Sequence, residues 1–242
     1  DQMIVIFPFE EEYYKQHNIN AIYVGHPFLD KWKVNDSLVL KNKLGLSNNK
    51  KIIGIFPGSR EQELKTHLPI YLEAARRINK TNQGIEFAVG LADVFKEDCV
   101  REKYDINDIK IVAYNSIDFL ECCDLAIVTS GTISLQATFM STPCVVSYKM
   151  SKISAYISKM LVRVPYISMT NIIAKSMILP ELIQSAVTAE NIESEINKFI
   201  NDGAYYQKTK NELEKIKAIF LEKTNSIMNA ADIIVNRKNE KN

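Results

Sequence analysis

Short continuous apolar runs, each followed by a turn and a helical stretch, constrain this chain more than any other feature. Residues 3–7, 21–24, 52–56, 86–89, 110–113, 125–128 and 144–148 read as strands. Most lack the apolar–polar alternation of a half-exposed strand, which predicts burial on both faces. Such strands alternating with helices specify an α/β fold, a Rossmann-like parallel sheet with helices on both faces. The helix after Phe56 is well marked. Leu64, Leu68, Tyr71, Leu72, Ala75 and Ile78 follow 3–4 spacing, and Arg76, Arg77 and Lys80 near its end suit the helix dipole. Further helices are expected over 189–201, 205–223 and 226–236. Residues 30–50, polar and charged, read as an interdomain connection. A doubly buried strand at residues 3–7 needs neighbours that residues 1–35 do not supply, so a domain upstream of Asp1 is expected.

Composition narrows the function classes. Thirty Lys and Arg against 29 Asp and Glu leave a net charge of +1, which argues against a generic nucleic-acid binder. No apolar run approaches the roughly 18 residues that span a bilayer. Cysteines 99, 122, 123 and 144 contain no CxxC pair, and none of the three histidines lies near a cysteine, so no zinc pattern is present. Reduced cysteines in a cytoplasmic protein are expected.

Two turns stand where a parallel sheet binds ligands, beyond the carboxyl ends of its strands. In Pro57-Gly58-Ser59-Arg60, Gly58 permits a tight turn, Ser59 is a candidate helix cap and Arg60 offers a planar donor fork suited to phosphate. The same segment also reads as a plain strand–turn–helix with a surface arginine. In Thr129-Ser130-Gly131-Thr132, small hydroxyl residues and a glycine open a helix, which makes either an anion site or a simple cap. Gln136 lies one turn inside that helix, within reach of a ligand hydroxyl. No GxGxxG, P-loop or Asp-x-Asp pair occurs, so no dinucleotide fingerprint and no carboxylate-held divalent ion is expected. Asn171 followed by Pro180-Glu181-Leu182-Ile183-Gln184 reads first as a helix start. Residues 149–175 carry five cations and no carboxylate, which fits either a membrane-facing helix or a core helix with a solvated basic side. His26, after a strand, reads as a structural tie or a supporting contact.

Taken in order, these segments resemble lipid-A-disaccharide synthase, a glycosyltransferase family with two Rossmann-like domains (GT-B). The resemblance rests on Ile6-Phe7-Pro8-Phe9-Glu10, Tyr23-Val24-Gly25-His26-Pro27-Phe28-Leu29-Asp30, Pro57-Gly58-Ser59-Arg60-Glu61-Gln62-Glu63, Ser130-Gly131-Thr132, Val162-Arg163-Val164-Pro165-Tyr166, Asn171-Ile172-Ile173 and Pro180-Glu181-Leu182-Ile183-Gln184. It implies transfer of 2,3-diacylglucosamine from its UDP derivative to 2,3-diacylglucosamine 1-phosphate, forming the β-1,6 lipid A disaccharide precursor and releasing UDP. It implies no cofactor and no metal. Residues 1–35 would be the end of the acceptor-binding domain with its linker, 36–220 the UDP-sugar domain, and 221–242 a C-terminal helix and tail. The UDP-sugar ligands would be Ser59, Arg60, Ser130, Gly131, Thr132, Gln136, Asn171, Glu181 and Gln184. The catalytic base would lie upstream, so no residue here is assigned that role and the chain alone is expected to be inactive. Gln136 stands where the family usually has Glu, and Thr170 where it usually has Pro. The family works peripherally at the cytoplasmic face of the inner membrane, here through the basic 149–175 segment, and a homodimer is among the assemblies it allows. Two other readings stay open: another GT-B enzyme or epimerase using UDP-N-acetylglucosamine, and a non-catalytic membrane- or partner-binding module.

Overall fold

A computed structural model describes residues 2–113, 116–150 and 165–239. Contacts divide the chain into two units, Asp1–Val34 with Glu214–Asn242, and Asn35–Leu213.

In the first unit, strands β1 (Met3–Val5) and β2 (Ala21–Tyr23) pair in parallel. Helix α1 (Pro8–Gln16) connects them, and α2 (Pro27–Lys31) follows. Only Val5 of β1 is buried and Met3 is exposed, so the expectation of a strand covered on both faces is not met over the described residues. His26 caps α2: its Nδ1 accepts the Phe28 N–H at 3.2 Å. The expected 36–220 and 221–242 pieces differ from the observed grouping, in which residues 214–242 join 1–34. Side-chain chemistry explains that grouping. Ser226 Oγ donates to Asp30 Oδ2 at 2.5 Å, Asn229 Nδ2 donates to the Val24 carbonyl at 2.9 Å, and the Lys217 ammonium sits 4.9 Å from the Trp32 ring centre.

The second unit is built on six parallel strands, β3 (Lys51–Phe56), β4 (Ile85–Leu91), β5 (Lys110–Ala113), β6 (Leu125–Thr129), β7 (Cys144–Tyr148) and β8 (Glu181–Ile183), in the order β5-β4-β3-β6-β7-β8. The strand periodicity of two sends alternate residues to opposite faces. Ile53, Ile55, Phe87, Val89 and Ile127 enter one core, with α4 (Glu61–Thr81) and a helix at Ala189–Asn201. Ile52, Phe56, Ala88, Ala126 and Val128 enter the other. This double burial is why the strand sequences read as uninterrupted apolar runs. On the first face Arg77 of α4 reaches Glu190 and Glu193 of the 189–201 helix at 2.9 and 2.6 Å.

Segment 30–50 is not merely a connection. Asp36 caps a helix, α3 (Ser37–Leu44), by accepting the Leu38 and Val39 N–H groups, and Gly45 ends it in the left-handed region. Leu40 and Leu46 are buried in the second core. Helices α5 (Glu97–Lys103), α6 (Ser116–Glu121), α7 (Thr132–Phe139), α8 (Met169–Ala174) and α9 (Ala189–Asn201) complete the unit together with the start of α10 (Gly203–Leu221). Helix α11 (Ser226–Asn239) lies in the first unit. The Pro180–Gln184 stretch is not a helix start. It is edge strand β8 followed by a single 3-10 turn, with the Pro180 carbonyl accepting the Val146 N–H; proline is tolerated there because it sits at the head of an edge strand. The central part of the basic 149–175 segment, residues 151–164, lies outside the described residues.

Candidate functional site

Strands β3, β4 and β5 step outward in one direction and β6, β7 and β8 in the other, so the strand order reverses between β3 and β6. Parallel sheets hold ligands in the crevice beyond the carboxyl ends at such a point. Phe56 pairs with Val128 in register, which brings the two following turns side by side. A cavity of about 300 Å³ opens between them, with Phe56 in its lining. Ser59, Arg60 and Glu63 line it from the β3 side, and Ser130, Gly131, Thr132, Ile133 and Gln136 from the β6 side.

The first turn is set by Gly58 and Glu63. Gly58 has φ +109°, and a Cβ there would fall 2.6 Å from the Glu63 Cβ. Arg60, not Ser59, is the capping position of α4. The Ser59 and Arg60 N–H groups both donate to Glu63 Oε2, at 3.1 and 3.3 Å. Arg60 Nη1 lies 3.3 Å from Glu63 Oε1, while its side chain is 78% exposed. An ion pair so open to water is weak, and it leaves the rest of the guanidinium fork available.

The second turn presents an unfilled helix amino end. Gly131 (φ +150°, ψ −153°) is the capping position of α7, and no side chain among the described residues caps it. Among the described residues no atom lies within 4 Å of the place a Gly131 Cβ would occupy, apart from the adjacent chain. Free N–H groups and the positive end of the helix dipole therefore meet the cavity. Ser130 holds the turn in place: its N–H donates to the Ser147 carbonyl at 2.9 Å and its hydroxyl to the Ile167 carbonyl at 3.1 Å.

Six of the residues nominated by sequence, Ser59, Arg60, Ser130, Gly131, Thr132 and Gln136, thus line one cavity. Asn171, Glu181 and Gln184 are not among its lining residues. The Asn171 amide is fully buried. Its Nδ2 donates to the Leu179 carbonyl and to Glu181 Oε1 (both 2.8 Å), and its Oδ1 accepts from Ile178 and Leu179. Glu181 also accepts from the Ile167 and Ser168 N–H groups and the Ser168 hydroxyl. The pair ties residues 167–179 to the sheet edge, and its hydrogen-bonding capacity is spent on that task. Gln184 sits with φ +55° in the 3-10 turn after β8.

Sequence reading missed the polar face of α4. Glu63, His67 and Tyr71 recur every four residues, so they stack on one side of the helix. The His67 Nε2 accepts the Lys149 N–H at 3.0 Å, so Nδ1 carries the proton and donates to the Glu63 carbonyl at 2.9 Å. The buried Tyr71 hydroxyl is shared with Thr129 at the end of β6 and Ser147 of β7. The spacing of Arg60 to Glu63, that of a capping box, was the one available signal.

His67 is fully buried, and burial lowers its pKa below the ordinary value, outweighing the Glu63 carbonyl and carboxylate that raise it. The unfolded chain then binds more protons than the native one as the pH drops. Stability from the neutral imidazole is present above about pH 6.5 and is lost as the pH falls through the lowered native value. His26, also lowered by burial, adds to the same window. The melting temperature is expected to decline on acidification from pH 7 to 5, with a shallower decline in His67→Gln; a flat profile would contradict the assignment.

Among the described residues no helix is long and apolar enough to cross a membrane, and no group of His, Cys, Asp and Glu is arranged to hold a metal ion. The chain is similar over 97% of its length to HepE of Anabaena, solved in complex with UDP and glucose (TM-score 0.57, 18% identity, 62% of that chain). It is similar over 88% of its length to a UDP-GlcNAc 2-epimerase from Neisseria meningitidis bound to UDP-GlcNAc (TM-score 0.53, 15% identity, 59% of that chain). At these identities the likeness is one of fold. Sequence relatives are closer. The lipid-A-disaccharide synthase of Geobacter sulfurreducens is 32% identical over 90% of this chain and 57% of its own length, and that of Persephonella marina is 34% identical over 97% and 64%. This chain therefore spans about three fifths of the length of such relatives. The family model described as lipid-A-disaccharide synthetase matches residues 1–236, and the chain belongs to that family.

Proposed function

We propose that this chain carries the UDP-sugar-binding half of a lipid-A-disaccharide synthase, which moves 2,3-diacylglucosamine from its UDP derivative to 2,3-diacylglucosamine 1-phosphate. One observation carries the reading: the turns after β3 and β6 share a cavity that offers the Arg60 guanidinium and the unfilled amino end of α7 together. In the transfer, the acceptor's 6-oxygen bonds to the donor's anomeric carbon, and the bond from that carbon to the β-phosphate oxygen breaks. UDP departs with the electron pair, and the hydroxyl proton passes to a base to which no residue of this chain is assigned. Charge builds on the diphosphate as the bond breaks. Donors already aimed at that position stabilise it without reorganising. Arg60 and the Gly131–Thr132 N–H groups take this role, and Gln136 bonds a ribose hydroxyl.

Neutralisation by arginine and a helix end needs no divalent ion. Calorimetric titration with UDP is expected to give the same affinity with and without chelator. Arg60→Ala is expected to weaken binding about tenfold or more, the size of a lost charge-assisted hydrogen bond. Chelator-sensitive binding, or an Arg60→Ala chain that binds UDP as well as the original, would overturn the reading. A product assay on the enzyme at its relatives' full length, with acylated against non-acylated donor, separates it from a UDP-N-acetylglucosamine enzyme. Both substrates carry acyl chains, so a bilayer surface supplies them, and the five cations of residues 149–175 suit an anionic leaflet.

A further inference from the structure

We infer that Glu63 is a positioning residue of the cleft: its carboxylate binds the Ser59 and Arg60 N–H groups ahead of α4, sets the 57–60 turn and aims Arg60, so that phosphoryl charge is received at the amino end of α7. The inference rests on the reading above and sharpens it. Two helix amino ends face the cavity, and symmetry of motif would suggest that both grip phosphate. Their electrostatics differ. At α4 the Ser59 and Arg60 N–H groups are already bound to Glu63 Oε2, at 3.1 and 3.3 Å. A carboxylate there binds the N–H of the capping residue and of the residue before it, and sets a negative charge from within the chain beside the positive end of the dipole. At α7 the cavity lining, Ser130, Gly131, Thr132, Ile133 and Gln136, supplies no such carboxylate.

Three contacts show that Glu63 is placed by the fold rather than by chance. Its Cβ occupies the space that any side chain at Gly58 would need, so the glycine and the glutamate are matched. Its other oxygen, Oε1, reaches Arg60 Nη1 at 3.3 Å and turns the guanidinium toward α4 without enclosing it. Its own carbonyl accepts from His67 Nδ1, and His67 Nε2 in turn accepts the Lys149 N–H beyond β7. Glu63 therefore stands at the head of the polar face of α4 that ties together the ends of β3, β6 and β7.

The test uses this chain with UDP and uridine as separate probes. Glu63→Gln keeps an acceptor oxygen for the turn but removes the negative charge that faces Arg60. It is expected to weaken UDP binding two- to fivefold, the size of an exposed ion pair, with uridine affinity and melting temperature unchanged. In an Arg60→Ala background the same change is expected to cost nothing further, because the glutamate acts through the arginine. Equal losses in both backgrounds, or a Glu63→Gln chain that binds UDP as tightly as or more tightly than the original, would overturn the inference. Amide proton shifts of Ser59 and Arg60 decide the turn without ligand: both are expected to move upfield in Glu63→Ala, and unmoved shifts reject the placement. Failure of the unsubstituted chain to bind UDP defeats the functional reading instead, and those shifts still judge whether Glu63 sets the turn.

Discussion

Gly131→Ala is expected to weaken UDP binding at least tenfold while lowering the melting temperature only slightly. Gly131 sits at φ +150° and ψ −153°, a region that is essentially open to glycine alone. A side chain there adds about 1–3 kcal/mol of backbone strain. The usual outcome of such strain is lost stability, but here the surroundings favour another. Among the described residues no atom beyond the adjacent chain lies within 4 Å of the new Cβ, so the methyl itself meets no clash. Ser130, on the Ser147 and Ile167 carbonyls, and the Ser134 hydroxyl, on the Gly131 carbonyl, anchor the flanks of the turn, so relief comes from rotating the Gly131 peptides against those anchors, which carries the Gly131 and Thr132 N–H groups away from the cavity. The energy then appears as affinity: about 1.4 kcal/mol is tenfold. Calorimetry with UDP and a thermal melt on the same sample separate the two outcomes. Unchanged affinity with a large fall in melting temperature would mean that the turn is held rigidly and does not contact the phosphates.

The contrast between Gly131 and Asn171 shows what could be read from the sequence. Turns at the ends of apolar runs announce themselves: Gly58, Arg60 and Gly131 each follow a doubly buried strand directly, and the topology of a parallel sheet then fixes which side of the molecule they occupy. Gln136 follows from helix periodicity once α7 is placed. Partners of buried polar groups carry no such local mark. Glu181 binds Ile167 and Ser168, and His67 binds Lys149, across separations that only the folded chain defines. Pro180-Glu181 has the composition of a helix start, yet pairing of residues 181–183 with β7 wins over that propensity. Similarly, the irregular pattern of residues 36–45 hid a helix in which Leu40 is buried and Leu44 packs partly against the second core, with Asp36 and Gly45 capping its two ends.

Asn171→Ala is expected to destabilise the second unit severely while leaving the cavity between the β3 and β6 turns of the folded protein intact. The buried amide makes four hydrogen bonds, two as donor and two as acceptor. Alanine strands the Leu179 N–H and carbonyl and deprives Glu181 of a donor, while the Ile178 N–H keeps only its bond to the Ser176 carbonyl. Each unsatisfied buried group costs about 1–3 kcal/mol, and with partial relaxation the sum is about 3–5 kcal/mol. For a domain of this size that corresponds to a fall of about 6–20 °C in melting temperature. Asn171→Asp is expected to fare no better, since a carboxylate cannot donate to the Leu179 carbonyl and would set a second negative charge against Glu181. At a temperature where Asn171→Ala remains folded, its UDP affinity should stay within about twofold of the original, because this side chain is not part of the cavity lining. The opposite pattern, an unchanged melting temperature with affinity lost, would make Asn171 a ligand contact and return the 171–184 segment to the binding site.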